Sequence, residues 1–498
     1  KMPKIPSILA IDQGTTGTTC LVVGQTGEVI SRAYSEFTQF FPQPGWVEHD
    51  AMEIWTTTQK MSRLAIKEAE NAEIQGVGIT NQRETIVLWN RETLEPCYNA
   101  IVWQDRRTVD ICSELKNKGY ETDVKAKTGL VLDPYFSATK IMWLFRERPD
   151  LKVLAERGEV VIGTVDSWLV ARLTGGSVHA TDPTNASRTL LYNLEAGIWD
   201  SDLMDLMGIP ELALPQIRSS SGSFGSVCPE TIGVDAPICG VAGDQQAALF
   251  GQGCWSEGLV KNTYGTGAFL LMNTGNKPVI SESGLLTTAA CDSEGNLCYA
   301  LEGSIFIAGA AVQWLRDALG IIENAEITEA MAASLDSNDG VYFVPAFVGL
   351  GAPRWLPKAK GAILGITRGT GKNHLVRAAL EAMAYGTVEV LNAMEKDSQM
   401  SIKELRVDGG ASKNNWLMEF QSSLIDVSVR RPPIVETTAF GAAGLAGISA
   451  GVWADSSEFI SCQGESDTFS VHLEDKEKGR LMEAWSRAVQ AVEMHALD

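Results

Sequence analysis

Ile8-Leu9-Ala10-Ile11-Asp12-Gln13-Gly14-Thr15-Thr16-Gly17-Thr18-Thr19-Cys20-Leu21-Val22-Val23 reads as two apolar strands joined by a short turn of Gly and Thr. The device returns in the second half of the chain as Leu259-Val260-Lys261-Asn262-Thr263-Tyr264-Gly265-Thr266-Gly267-Ala268-Phe269-Leu270-Leu271-Met272. A turn without bulky side chains lets backbone N–H groups converge on an anion, and Thr hydroxyls add donors. One such turn is an ordinary β-hairpin. Two, the first with an acid at the end of its leading strand, suggest a clamp on phosphate.

The chain has 498 residues, beyond the size at which one core stops growing. Two large domains are therefore expected, 1–250 and 251–498, with the second hairpin near the boundary. Hydrophobic residues make up 45% and charged residues 21%, the balance of an ordinary soluble chain. The formal net charge of −21 is spread along the sequence and argues against a nucleic-acid partner. No apolar run approaches the roughly 18 residues that span a bilayer, so no transmembrane segment is expected. The opening Lys1-Met2-Pro3-Lys4-Ile5-Pro6 lacks the apolar region of a secretion signal, and the scattered cysteines fit reduced thiols in a cytoplasm.

The nine cysteines are scattered and include no Cys-x-x-Cys pair, so neither a disulfide framework nor a zinc ribbon is suggested. The five histidines are too dispersed for a metal-binding helix, and no Gly-x-Ser-x-Gly elbow occurs. Carboxylates, hydroxyls, amides and Arg remain as reagents. Phosphoryl transfer uses those groups, because there an enzyme works chiefly by positioning and charge stabilisation.

Strands and helices alternate. Asp50 caps an expected helix through about Glu70, and Ile74 to Thr80 reads as a strand ending at Asn81-Gln82-Arg83-Glu84. Polar residues at the end of an apolar strand mark where open α/β sheets place their sites. In the second half Asn373 is placed to cap a long helix, followed by the strand Glu404 to Val407 and the turn Asp408-Gly409-Gly410-Ala411-Ser412-Lys413-Asn414. A last helix is expected over about Gly479 to Met494.

Ordered motifs now carry a resemblance. They are Asp12-Gln13-Gly14-Thr15-Thr16, Pro44-Gly45-Trp46-Val47-Glu48-His49-Asp50, Thr80-Asn81-Gln82-Arg83-Glu84-Thr85, Trp103-Gln104 and Asp133-Pro134-Tyr135-Phe136-Ser137. Ala242-Gly243-Asp244-Gln245-Gln246-Ala247-Ala248, Tyr264-Gly265-Thr266-Gly267 and Val407-Asp408-Gly409-Gly410-Ala411 complete the set. Over nearly its whole length the chain resembles the FGGY carbohydrate kinase family of the actin-like ATPase superfamily, and within it the members that phosphorylate glycerol. The resemblance implies an α/β fold of two actin-like, ribonuclease-H-like domains with the active site in the cleft between them. It implies glycerol and ATP as substrates, Mg²⁺ as cofactor, sn-glycerol 3-phosphate as product, and a homodimer or homotetramer.

The resemblance also implies roles. Asp244 becomes the general base, and Asp12 sits beside Mg²⁺ through a water, since Mg²⁺ keeps part of its hydration shell. Thr15, Thr16, Gly265 and Thr266 touch the nucleotide phosphates. Gly309, Gln313, Gly410, Ala411 and Asn414 form the adenosine side. Arg83, Glu84, Tyr135, Asp244 and Gln245 hydrogen-bond the acceptor's hydroxyls, while Trp103 and Phe269 pack on its carbon backbone.

Some positions depart from the family pattern. Thr19 stands where Arg is common, Asp105 where Cys is frequent, and Arg354 and Leu356 where Tyr and Asp are usual. The segment Ser219-Ser220-Ser221-Gly222-Ser223-Phe224 holds no His, so control by His phosphorylation is not expected. Two other readings stay open at this level: an FGGY kinase for another small polyol or ketose, and an actin-like nucleotide switch with no polyol pocket.

Overall fold

A computed structural model describes residues 3–434 and 436–496. The first hairpin forms as its pattern predicts. Strand Ile5–Gln13 pairs antiparallel with Gly17–Gly24, from Ser7 opposite Gly24 to Gln13 opposite Thr18. On its other edge Ile5–Gln13 pairs in parallel with Ala72–Asn81, which pairs in parallel with Ile238–Gly243. Val29–Glu36 closes the five-stranded sheet beyond Gly17–Gly24.

The second hairpin nucleates the same order in a seven-stranded sheet. Leu259–Tyr264 is flanked by its antiparallel partner Ala268–Gly275, then by antiparallel Leu297–Ile305. Parallel strands Glu404–Asp408 and Val429–Arg431 follow on the other side. In both sheets the leading strand of the hairpin is central, so each Gly-Thr turn projects from the middle of a sheet edge.

Alternation along the first strands assigns their faces. Leu9, Ile11, Cys20 and Val22 pack with Ile54, Trp55, Met61 and Ala65 of helix Ala51–Glu68. Ile8, Ala10, Leu21 and Val23 face the other way, onto Ala247, Phe250, Phe440, Ala443 and Ala446. The last three belong to helix Thr437–Ala450, which returns from late in the chain to cover this face. Each large aliphatic side chain so covered contributes about 1.5–3 kcal/mol. The helix lies so close that a Cβ added at Gly78 meets the Ala442 carbonyl at 2.3 Å, and one at Gly441 meets the Ala247 carbonyl at 1.8 Å.

Asp50 caps Ala51–Glu68, its carboxylate accepting from Met52 N at 2.8 Å and Glu53 N at 3.3 Å. The long second-half helix differs from expectation at its start. It runs Lys372–Ser398 with Gly371 as cap, and His374 Nδ1 accepts the Gly371 N–H at 3.0 Å. Asn373 donates to the Ser334 hydroxyl at 2.9 Å, a partner on a distant segment, instead of capping. The last helix, Asp475–His495, begins before Gly479 because Asp475 and Glu477 suit the positive end of a helix. Among the described residues no helix is long and apolar enough to cross a membrane.

Candidate active site

Strand Ala72–Asn81 delivers Gln82, Arg83 and Glu84 at the sheet edge beside the first turn, where Gln82 N donates to Gln13 O at 2.8 Å. Glu84 adopts the left-handed φ of 64°, an uncommon conformation for a residue bearing a side chain. On the neighbouring strand, Ile238–Gly243 ends at Gly243, whose N–H donates to Thr184 Oγ1 at 2.8 Å, and helix Asp244–Gly251 begins. This geometry sets the buried Arg83 guanidinium against Asp244, with Nε 3.3 Å from Oδ1. Tyr135 stands 3.5 Å from Arg83 Nη2, and Glu84 Oε1 lies 3.7 Å from Arg83 Nε.

Sequence reasoning missed two members of this cluster. Glu302, from strand Leu297–Ile305, accepts from Arg83 Nη1 at 2.6 Å and Nη2 at 2.9 Å, a two-pronged pair across the two halves. Arg188 donates from Nε to Glu84 at 2.7 Å and from Nη2 to Glu302 at 3.1 Å. Burial opposes the ionised form of Glu302, yet Arg188 and Arg83 outweigh it and hold the carboxyl down at about 2. A lone Glu in the buried strand Ala300-Leu301-Glu302-Gly303 was the available signal, since buried charges are paired.

Asp244 is raised by burial, against the pull of Arg83, the Gln245 N–H and Lys261. Its Oδ1 is engaged by Gln245 N at 2.8 Å and by Arg83. Oδ2 has no bond of this kind among the described residues and is the oxygen free to take a proton. Asp12, at the end of Ile5–Gln13, is pushed up to about 7 by burial and then by the negative charges of Asp244 and Glu436. Two carboxylates that repel one another, one of them with no hydrogen bond among the described residues, form a place that favours a cation. No trio of His, Cys, Asp or Glu among the described residues closes a metal site by itself.

Trp103 ties Tyr135 to the first turn. Its indole Nε1 donates to Thr15 Oγ1 at 2.9 Å, and its ring lies 5.6 Å from that of Tyr135. Thr16 is exposed at the tip. Gln245 follows Asp244 on its helix, and its carbonyl oxygen accepts from Lys261 Nζ. The same ammonium donates to the backbone oxygen of Phe269 at 3.2 Å. Nothing in the sequence of the second hairpin singles Lys261 out. It is fully buried, and burial pulls it down to about 8 against the attraction of Asp408 and Glu302.

The second turn connects to the start of helix Gly309–Asp317. Gly309 N donates to Gly265 O at 2.9 Å and Ala308 N to Thr266 O at 2.8 Å. A Cβ at Gly309 would meet Gly265 O at 2.7 Å, so this glycine permits the approach. Gln313 is exposed on the helix, and its side chain has no hydrogen bond to the others among the described residues. Gly410 is open and exposed, and Ala411 half-buried beside it. Asn414 is engaged in structure: its Oδ1 caps helix Asn415–Ile425 through Leu417 N at 2.9 Å, and its amide donates to Thr328 at 3.3 Å.

The departures from the family pattern also find partners. Asp105 accepts from Val47 N at 2.7 Å and pairs with Arg107, whose guanidinium lies 3.8 Å over Trp46. Arg354 bridges Glu389 at 2.6 Å and Glu493 at 2.9 Å. Thr19 sits directly opposite Asp12 across the first hairpin.

Comparison with known proteins follows the same division. A model of the N-terminal domain of the FGGY family of carbohydrate kinases matches residues 7–251, and one of the C-terminal domain matches residues 260–450. The glycerol kinase of Bacillus licheniformis is 51% identical over 97% of this chain and 98% of its own. That of Geobacillus kaustophilus is 52% identical with the same coverage. The crystal structure of Plasmodium falciparum glycerol kinase with ADP superposes with a TM-score of 0.94 at 36% identity, covering 99% of both chains. Xylulose kinase from Lactobacillus acidophilus, at 20% identity and a TM-score of 0.88, shares the fold.

Proposed function

The chain belongs to the FGGY family of carbohydrate kinases, and on that premise we propose that it transfers the γ-phosphoryl group of ATP to glycerol, giving sn-glycerol 3-phosphate and ADP. The observation that carries this reading is likeness to glycerol kinases at 51% and 52% identity along nearly the whole chain.

Asp244 is the general base. Its free Oδ2 accepts the proton of the attacking hydroxyl as the new P–O bond forms in line with the leaving ADP. Burial strengthens the carboxylate as a proton acceptor, while Arg83 and the Gln245 N–H keep Oδ1 oriented. Arg83, Glu84, Tyr135 and Gln245 hold the acceptor's hydroxyls, and Trp103 and Phe269 flank its carbons. Thr15 and Thr16 from one turn, with Gly265 and Thr266 from the other, receive the phosphates. Gly309, Gln313, Gly410, Ala411 and Asn414 form the adenosine side.

Mg²⁺ fits beside Asp12, where it would neutralise phosphate charge, its other ligands being water and phosphate oxygens. Cytoplasmic residence, a catabolic role for the reaction and a homodimer or homotetramer belong to the same reading.

The test is Mg²⁺- and ATP-dependent ADP release with glycerol, dihydroxyacetone, erythritol, xylulose, 1,2-propanediol or no acceptor, with the product checked by mass. A preference for glycerol is expected, and 1,2-propanediol should be poorer by up to on the order of 10⁴ in kcat/KM, because it leaves buried polar groups unpaired. Preference for a larger polyol would overturn the acceptor assignment. Release indifferent to acceptor would point to a nucleotide switch.

A further inference from the structure

The second sheet carries an unusual row of side chains. Lys261 stands opposite Leu271, and Leu271 opposite Glu302, across three antiparallel strands. Directly opposed residues share a face of the sheet, so Lys261 and Glu302 flank Leu271 on one side. That side meets the cluster at the start of helix Asp244–Gly251, where Glu302 takes the Arg83 guanidinium and Lys261 takes Gln245.

Lys261 is a buried cation with neutral partners. Its ammonium donates to Gln245 Oε1, to Thr263 Oγ1 at 3.0 Å and to Phe269 O at 3.2 Å, which occupies all three N–H groups. Among the described residues it forms no ion pair. Burying a charge in this way opposes folding, so a contribution to stability does not account for it.

Its chemistry does account for the setting of Gln245. An ammonium has no acceptor atom, so only the carbonyl end of the Gln245 amide can face it. Nε2 is thereby turned the other way, and it has no hydrogen-bond partner among the described residues. We propose that Lys261 is a positioning residue that fixes the Gln245 side-chain amide with its N–H₂ toward the acceptor, so that this part of the site offers donors only. The inference rests on the reading of Gln245 as an acceptor-binding residue. It adds that the second half of the chain sets the polarity of a group belonging to the first.

The experiment compares Lys261→Met, Lys261→Gln, Gln245→Ala and the Lys261→Met/Gln245→Ala double variant by steady-state kinetics and thermal unfolding. Lys261→Met should raise KM for glycerol about tenfold with little change in KM for ATP, the loss expected when a hydrogen bond is no longer held in place. Its Tm should not fall, because a buried charge has been removed. Lys261→Gln, which still offers an N–H₂ to the Gln245 carbonyl, should recover part of the affinity. In the Gln245→Ala background the effect of Lys261→Met should vanish.

An unchanged glycerol KM in Lys261→Met, with a raised one in Gln245→Ala, overturns the positioning role and leaves the acceptor reading intact. An unchanged KM in Gln245→Ala overturns both. Equal losses from Lys261→Met with and without Gln245 also overturn the positioning role. If Lys261→Met does not fold, Lys261→Gln carries the same comparison with the double variant Lys261→Gln/Gln245→Ala.

Discussion

The two hairpins occupy the same place in their sheets but close differently. In the first, Gly14 N donates to Gly17 O at 2.9 Å and leaves Thr15 and Thr16 between them; in the second, Gly265 N donates to Gly267 O at 2.8 Å and leaves only Thr266. Two residues before the turn glycine, the first strand carries Asp12 and the second has Thr263, whose hydroxyl accepts from Lys261. The first half thus contributes carboxylates, and the second contributes a cation, a carboxylate that locks Arg83, and backbone that docks on the Gly309 helix. A repeated strand order supplies two loops of similar reach, and the few residues at the strand ends divide the chemistry between them.

The largest expected effect tests whether the base belongs to the first half. Asp244→Asn should lower turnover by on the order of 10²–10⁴ while the protein stays folded by circular dichroism. Near-normal turnover would end that assignment.

Next is the second half's own tether. Gly409 has φ 86°, and a Cβ there meets Tyr264 O at 2.5 Å. Gly409→Ala should cost about 1–3 kcal/mol in urea unfolding and raise KM for ATP. An unmoved midpoint would show that the approach is not a constraint.

The first half's corresponding tether is polar and weaker. Trp103→Phe keeps an aromatic wall but removes the 2.9 Å bond to Thr15, a loss of about 0.5–1.5 kcal/mol. KM for ATP should rise by a factor of roughly 2 to 10; a change confined to glycerol would break the link between turn and pocket.

The smallest effect concerns Thr19. An Arg there would lie beside Asp12 on the same face, and a nearby cation favours a carboxylate's charged form. In metal-free protein, NMR titration should find Asp12 in Thr19→Arg below the value of about 7 that burial and its acidic neighbours impose. The kcat/KM for ATP should be preserved or rise modestly. A severe loss without unfolding would mean that Thr19 is itself required.

Much of this was legible. The alternation that sends Leu9 and Ile11 to one face and Ile8 and Ala10 to the other follows from period-two geometry, and Asp50 announced its helix by local chemistry. The α/β fold of two actin-like domains was implied by the resemblance that the ordered motifs carry, and the comparisons bear it out. What stayed hidden depends on partners far away in sequence. Arg83 and Glu302 lie 219 residues apart, and nothing near either one names the other. Lys261 looked like one polar position in an apolar strand, and only the register with Leu271 and Glu302 gives it a setting. Asn373 misled because a good capping residue loses to a better tertiary partner, here Ser334.

The cover that Thr437–Ala450 provides for the first sheet has a consequence for biosynthesis. A ribosome completes strand Ile238–Gly243 about 200 residues before that helix, an interval of roughly 10–40 s at ordinary elongation rates. Throughout it the face bearing Ile8, Ala10, Leu21 and Val23 has only the short helix Asp244–Gly251 to cover it, and the nascent chain offers a chaperone a fixed window in which to hold the rest.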